Sequence, residues 1–148
     1  MMAHARTSAI EFGRVAVLMG GRSAEREISL MSGETVLAAL INNGVDAHKL
    51  DVDFDVAEQL RAGQYTRAFV MLHGRGGEDG QIQGLLQSMN IPYTGSDVTG
   101  AVLSMNKIVS KEAWVQQNLP TAIFERVTPE SNINEVIGLL GLPLIIKP

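Results

Sequence analysis

The chain has 148 residues, a formal net charge of −4, 45% hydrophobic and 19% charged residues, and no cysteine. That is enough for one domain, or one and a fraction, burying about 68–70% of its unfolded surface without a disulfide or metal staple. The charge balance excludes the basic footprint of a nucleic-acid binder, and the cysteine count excludes disulfide frameworks and thiolate zinc sites.

Residues 1–13 are mixed in character, lack the apolar centre of a signal peptide, and read as a flexible leader. No apolar run approaches the ~18 residues of a membrane span, so no membrane partner is expected and a cytoplasmic address is the default. The run over 14–19 reads as a first, buried strand, and the three-and-four spacing of Ile28, Met31, Val36, Leu37, Leu40 and Ile41 predicts a helix over 23–43. Gly44 stands where helices commonly end in a left-handed residue. A second strand over 45–50, a short helix over 56–61, a third strand over 67–72, a helix over 81–89 and a fourth strand over 91–94 follow. Alternation of this kind implies a parallel sheet with right-handed crossovers, an α/β fold.

Near Gly95 the character changes. Helices are expected over 97–103 and 107–118, the second stopped by Leu119-Pro120. A strand over 122–126, a helix over 133–140 and a strand over 144–147 complete the chain. Ending on Pro148, directly after a strand-terminal lysine, reads as a chain cut inside a second domain.

Two loops carry more charge than a turn requires. Gly20-Gly21-Arg22-Ser23-Ala24-Glu25-Arg26-Glu27-Ile28-Ser29-Leu30 leaves the first strand, and His73-Gly74-Arg75-Gly76-Gly77-Glu78-Asp79-Gly80-Gln81 leaves the third. Open α/β sheets bind ligands outside the carboxyl ends of their strands, so the pair points to a polar small-molecule site. Neither loop is a dinucleotide fingerprint or a P-loop, because the third glycine and the Gly-Lys-Ser/Thr are missing. Gly20 and Gly21 serve equally well as a tight turn. Glu25 in the first helical turn gains from the helix dipole, so a capping role competes with a binding one. His73 is open to two readings, a cap on the sheet edge or a ligand contact. Arg75, Glu78 and Asp79 are expected to shape their loop by internal ion pairs, with Asp79 a good helix N-cap. Trp114 is expected in a core, and His4 and His48 in solvated or structural roles. By composition alone Lys107 and Lys147 are surface lysines.

Together the two loop motifs resemble the amino-terminal domain of D-alanine–D-alanine ligases of the ATP-grasp superfamily. Pro92-Tyr93-Thr94-Gly95-Ser96, Met105-Asn106-Lys107 and Ile145-Ile146-Lys147-Pro148 fall in that family's order, so the resemblance runs from Arg14 to Pro148. It implies a Rossmann-like amino-terminal substrate domain over 14–95, followed by the first part of an ATP-grasp α+β central domain over 96–148. It also implies the activity: ATP phosphorylates one D-alanine carboxylate, and a second D-alanine attacks the D-alanyl phosphate, giving a dipeptide for peptidoglycan and cell-wall synthesis. By the same resemblance Glu25 holds the first D-alanine's ammonium, Ile28 packs on its methyl, His73 lies beside it, and Lys107 and Lys147 bind ATP phosphates. Magnesium (or manganese) ligands and the oxyanion arginine are expected beyond Pro148, so this stretch alone is expected to be inactive; the complete protein is expected to be a homodimer. A D-alanine–D-lactate type of ligase and a non-catalytic α/β amino-acid-binding module are the alternatives.

Overall fold

The computed structural model describes residues 8–147; His4, most of the leader and Pro148 lie outside the described residues. The described chain divides into two compact units between Val102 and Leu103.

The first unit is built on a parallel sheet of three strands, β1 (Arg14–Gly20), β2 (Asp46–Val52) and β3 (Arg67–Val70), in the order β2-β1-β3. Strand β1 is central and is buried from Val15 to Gly20. Its side chains alternate between two cores, as a pleated strand requires. Val15, Val17 and Met19 pack with Val45, Ala47 and the Leu30, Val36, Leu37 and Leu40 stripe of helix α1 (Arg26–Asn42). Ala16 and Leu18 face the other way, onto Leu60 of α2 (Val56–Ala62) and Ile82 and Leu86 of α3 (Gln81–Ser88). Helices therefore cover both faces, as expected for an α/β fold. A short 3-10 turn, Ala9–Phe12, precedes β1, and Ala9 packs on the α1 side of the core.

Helix α1 begins at Arg26, three residues later than the apolar spacing suggests. Ser23 accounts for the delay: its hydroxyl accepts from the Glu25 amide at 3.1 Å, and its carbonyl accepts from the Arg26 amide at 3.2 Å. The expected fourth strand over 91–94 is reduced to a single parallel bridge, Ala68 to Tyr93. Pro92 has no N–H to give, and the Val70 amide donates to the Thr94 hydroxyl at 3.0 Å instead of to a backbone carbonyl.

Helix α4 (Val98–Met105) spans the boundary between the units. In the second unit, the Asn106 side chain caps α5 (Lys107–Gln116) by accepting from the Val109 amide, and Asn132 caps α6 (Ile133–Leu140). Lys111 donates to the Thr121 hydroxyl and the Ala122 carbonyl at 2.9 and 2.8 Å, tying α5 to the segment after it. The segments 122–126 and 144–147 form no strand: among the described residues neither pairs with a neighbouring strand, and an extended segment without a ladder is not a strand. Trp114 is not core; it is 45% exposed, and Leu139, Ile145 and Ile146 are also exposed.

Gly33 sets how closely α1 lies on the sheet. A Cβ at this position would fall 2.5 Å from the Met19 Cβ, which is fixed to the backbone and cannot swing aside as the Met19 Sδ and Cε can. Gly33→Ala is expected to destabilise the fold by about 1–3 kcal/mol through overpacking, more than alanine's better helix propensity returns. Thermal unfolding checks this: a midpoint unchanged or raised refutes the close-approach role.

Candidate functional site

Parallel pairing sends β1 and β3 out of the sheet at the same end, and their following loops leave side by side. The ladder runs one residue past β3, with the Met71 amide donating to the Leu18 carbonyl at 2.9 Å. Beyond it the loops are joined by serines. The Ser29 hydroxyl, fully buried, donates to the Met71 carbonyl at 2.7 Å and accepts from the Gly20 amide at 2.9 Å. The Ser23 hydroxyl donates to the His73 carbonyl at 2.8 Å. Chain order β2-β1-β3 makes this the place where successive connections diverge to either side of β1, the point at which open α/β sheets bind ligands.

Glu25 stands at the N-cap position of α1 but makes no capping hydrogen bond through its side chain. Its carboxylate instead lies against Gly74, where an added Cβ would come within 2.6 Å of Glu25 Oε2. Among the described residues no cation pairs with it. Gly74, at φ +66°, has the left-handed backbone that favours glycine, so residue type and space agree there.

His73 is half-buried. Its Nε2 lies 3.3 Å from the Ser32 hydroxyl and its Nδ1 3.5 Å from Glu78 Oε1. Glu78 also accepts from the Gly74 amide at 2.9 Å. The expected ion pairing within this loop takes a different form, since acidic side chains bind backbone amides. Asp79 accepts from the Gly76 amide at 2.9 Å and from Gln81 through its backbone and side-chain nitrogens at 3.2 and 2.8 Å. Burial pushes the Asp79 carboxyl up, but these donors outweigh it and hold it below the ordinary aspartate value. Gly80, at φ +92°, occupies the cap position of α3, and Asp79 caps from one residue before it. Arg75 is exposed at the rim of a cleft of about 710 Å³, whose lining includes Gly21, Arg22, Phe54 and Gln81 but neither Glu25 nor His73.

Ile28 is 53% exposed on the first turns of α1. In the second unit Lys107 opens α5 and donates to the Ser104 carbonyl at 2.9 Å, and Lys147 is exposed. Among the described residues no group of three or more His, Cys, Asp or Glu side chains converges as a metal ion requires. No helix among them is long and apolar enough to cross a membrane.

One element of the site is not apparent from the sequence. Arg26 makes a two-pronged pair with Asp51 at the end of β2, at 2.7 and 2.6 Å, and its Nη1 also reaches the Gly21 carbonyl at 3.2 Å. The β1 loop is thus held from both neighbouring strands. Gly20, at φ +77°, lies where a side chain would strike Asp51 and Arg26. The only sequence signal for the pair is an arginine opening the helix after β1 and an aspartate at the carboxyl end of β2. His48 likewise has a partner, Asp46, at 2.7 Å.

A family model described as the D-ala D-ala ligase N-terminus matches residues 45–96. The D-alanine–D-alanine ligase of Nitrosococcus oceani is 56% identical over 137 residues, covering 93% of this chain and 43% of that protein. That of Acinetobacter baumannii is 52% identical over 143 residues, covering 96% and 46%. The chain matches the amino-terminal part of D-alanine–D-alanine ligases. It spans less than half the length of these curated relatives. Among solved structures, the D-alanine–D-alanine ligase of Bacillus anthracis complexed with ATP superposes with a TM-score of 0.77 at 33% identity, over 91% of this chain and 47% of its own. The Coxiella burnetii ligase shares the fold, with a TM-score of 0.70 at 23% identity.

The Arg26–Asp51 pair makes a pH prediction. The hydrogen bonds from Arg26 hold the Asp51 carboxyl below its ordinary value, outweighing the opposing effect of burial. A carboxylate depressed in the folded state contributes stability that is present above its unfolded pKa, about 3.9, and is lost as pH falls through the lower, folded value. Asp51→Asn is therefore expected to lower stability at neutral pH and to flatten the loss of stability below about pH 4. Denaturant unfolding at a series of pH values checks it; parallel curves for the two proteins would show that the pair contributes no linkage.

Proposed function

We propose that this chain is the amino-terminal part of an ATP-dependent D-alanine–D-alanine ligase, with residues 14–95 as its first-substrate domain. Residues 96–148 then begin the ATP-grasp central domain, and residues 1–13 lead into β1. The observation that carries the reading is the unpaired Glu25 carboxylate lying against Gly74, next to His73, at the carboxyl ends of β1 and β3. A carboxylate left open at a ligand-binding edge suits an ammonium group, and the relatives' name supplies one that carries it, D-alanine.

In this reading Glu25 accepts hydrogen bonds from the first D-alanine's ammonium, Ile28 meets its methyl, and His73 lines its far side. The substrate carboxylate is thereby turned towards the nucleotide. One carboxylate oxygen attacks the γ-phosphorus of ATP, the bond to the β-phosphate oxygen breaks, and D-alanyl phosphate and ADP form. The amine of a second D-alanine then attacks the acyl carbon, phosphate leaves with the bonding pair, and the amine loses a proton. Lys107 and Lys147 act as point charges on the phosphate chain. Magnesium or manganese would neutralise charge on the phosphates, with its ligands expected beyond Pro148. The complete protein works in the cytoplasm as a homodimer and feeds peptidoglycan synthesis.

Two kinetic outcomes follow for the full-length gene product. Glu25→Gln is expected to raise the first-site D-alanine KM by about 10- to 150-fold, the value of one hydrogen bond between charged groups, with the KM for ATP nearly unchanged. An unaltered first-site KM and turnover would remove Glu25 from the substrate site.

For the nucleotide the selectivity reverses. Lys147→Ala, and separately Lys107→Ala, is expected to raise the KM for ATP by about tenfold or more while leaving the first-site D-alanine KM nearly constant. Equal losses for both substrates would mean that these lysines act on the fold and not on phosphate.

A further inference from the structure

Helix α1 presents two serines, Ser29 and Ser32, at the i, i+3 spacing that places side chains on one face. Opposite them lie Met71 and His73, two residues apart on an extended segment and so on one side of it. The two periods meet in register: Ser29 Oγ donates to the Met71 carbonyl at 2.7 Å, and Ser32 Oγ lies 3.3 Å from His73 Nε2. Gly33, pressed against Met19, fixes the height of this face above the sheet.

The direction of the Ser32–His73 hydrogen bond follows from counting protons. A hydroxyl has one to donate, and Ser32 gives it to the Ile28 carbonyl at 2.8 Å, with the Ser29 carbonyl at 3.2 Å sharing it. Towards His73 the Ser32 oxygen can then only accept, so Nε2 carries a hydrogen. We infer that Ser32 is a positioning residue, which fixes the His73 ring with its Nε2–H tied to α1 and so sets the wall of the first-substrate site. Nδ1 is left facing Glu78, whose other oxygen holds the Gly74 amide. The ring is held through Nε2, and His73 serves the site as an oriented group.

This inference rests on the first-substrate reading of Glu25 and His73, and the test separates the two. In the full-length gene product, Ser32→Ala, Ser32→Thr and Glu25→Gln are compared by the first-site D-alanine KM, the KM for ATP, and the nitrogen chemical shifts of the His73 ring. Ser32→Ala keeps helix propensity, and Ser32→Thr keeps the hydroxyl. Ser32→Ala is expected to shift the Nε2 resonance and raise the first-site KM about 3- to 10-fold, the value of one neutral hydrogen bond, without changing the KM for ATP. Ser32→Thr is expected to restore both. Unmoved ring resonances in Ser32→Ala, a KM rise shared with ATP, or no rescue by threonine would each overturn the inference. If Glu25→Gln raises the first-site KM while Ser32→Ala does not, only the role of Ser32 falls. If neither does, the substrate reading falls and takes this role with it, even where the ring resonance moves.

Discussion

The pairing of β1 with β3 is the constraint on which the site depends. Because the strands are parallel and in register from Val15–Arg67 to Leu18–Val70, both chains leave the sheet at one end, at nearly the same height. An antiparallel neighbour would send its loop to the opposite edge. Strand β2 pairs with β1 on the other side and ends level with it, Gly20 opposite Val52. Three loops therefore start from one edge, and short side chains can bridge them. The apolar alternation of β1, with Val15, Val17 and Met19 to one helix layer and Ala16 and Leu18 to the other, makes a slip of one residue unfavourable, since it would exchange the two cores.

What joins the loops is mostly serine to backbone. Ser23, Ser29 and Ser32 each reach the segment 71–73, two of them through main-chain carbonyls. A serine hydroxyl is short enough to lose little rotamer freedom, and it both donates and accepts. Ser29 uses both capacities, on the Met71 carbonyl and the Gly20 amide, which would otherwise be buried without partners. Larger polar groups take the outer positions. Arg26 spans to Asp51 and Gly21, where a planar guanidinium can hold two carboxylate oxygens and a carbonyl together. Rigidity near the sheet thus comes from small buried groups, and towards solvent from charge.

The sheet and its covering helices were legible because their signals are local. Buried strands show as apolar runs, and α1 as a three-and-four stripe broken at Gly44. The loops were legible too, since they hold charge where a turn needs none, and their residues resemble a known family. The strands over 91–94, 122–126 and 144–147 were not, because strand formation depends on a neighbour that a run of Val, Ile or Phe does not specify. Pro92 offered a warning within its own segment. Trp114 illustrates the same limit for burial: helical spacing places a residue on a face, but not the face against a core. The Arg26–Asp51 pair and the Ser32–His73 contact bridge 25 and 41 residues. Such contacts become visible only once the parallel register is known.

The carboxylates at this edge divide by what they hold. Asp51 is bound by Arg26, Glu78 by the Gly74 amide, and Asp79 by Gly76 and Gln81. Each has its charge spent on the protein, and each fixes a loop. Glu25 is set among them without a donor, although its position at the start of α1 offers free helix amides within a turn. Those amides would satisfy it at little conformational cost, yet the Ser23 hydroxyl takes the nearest one, from Glu25 itself, and the Glu25 carboxylate is turned to Gly74. Local stability alone would favour the capped arrangement. A charge kept out of its easiest hydrogen bonds, between loops tied by Ser23, Ser29 and Arg26, is what the proposed ammonium contact requires.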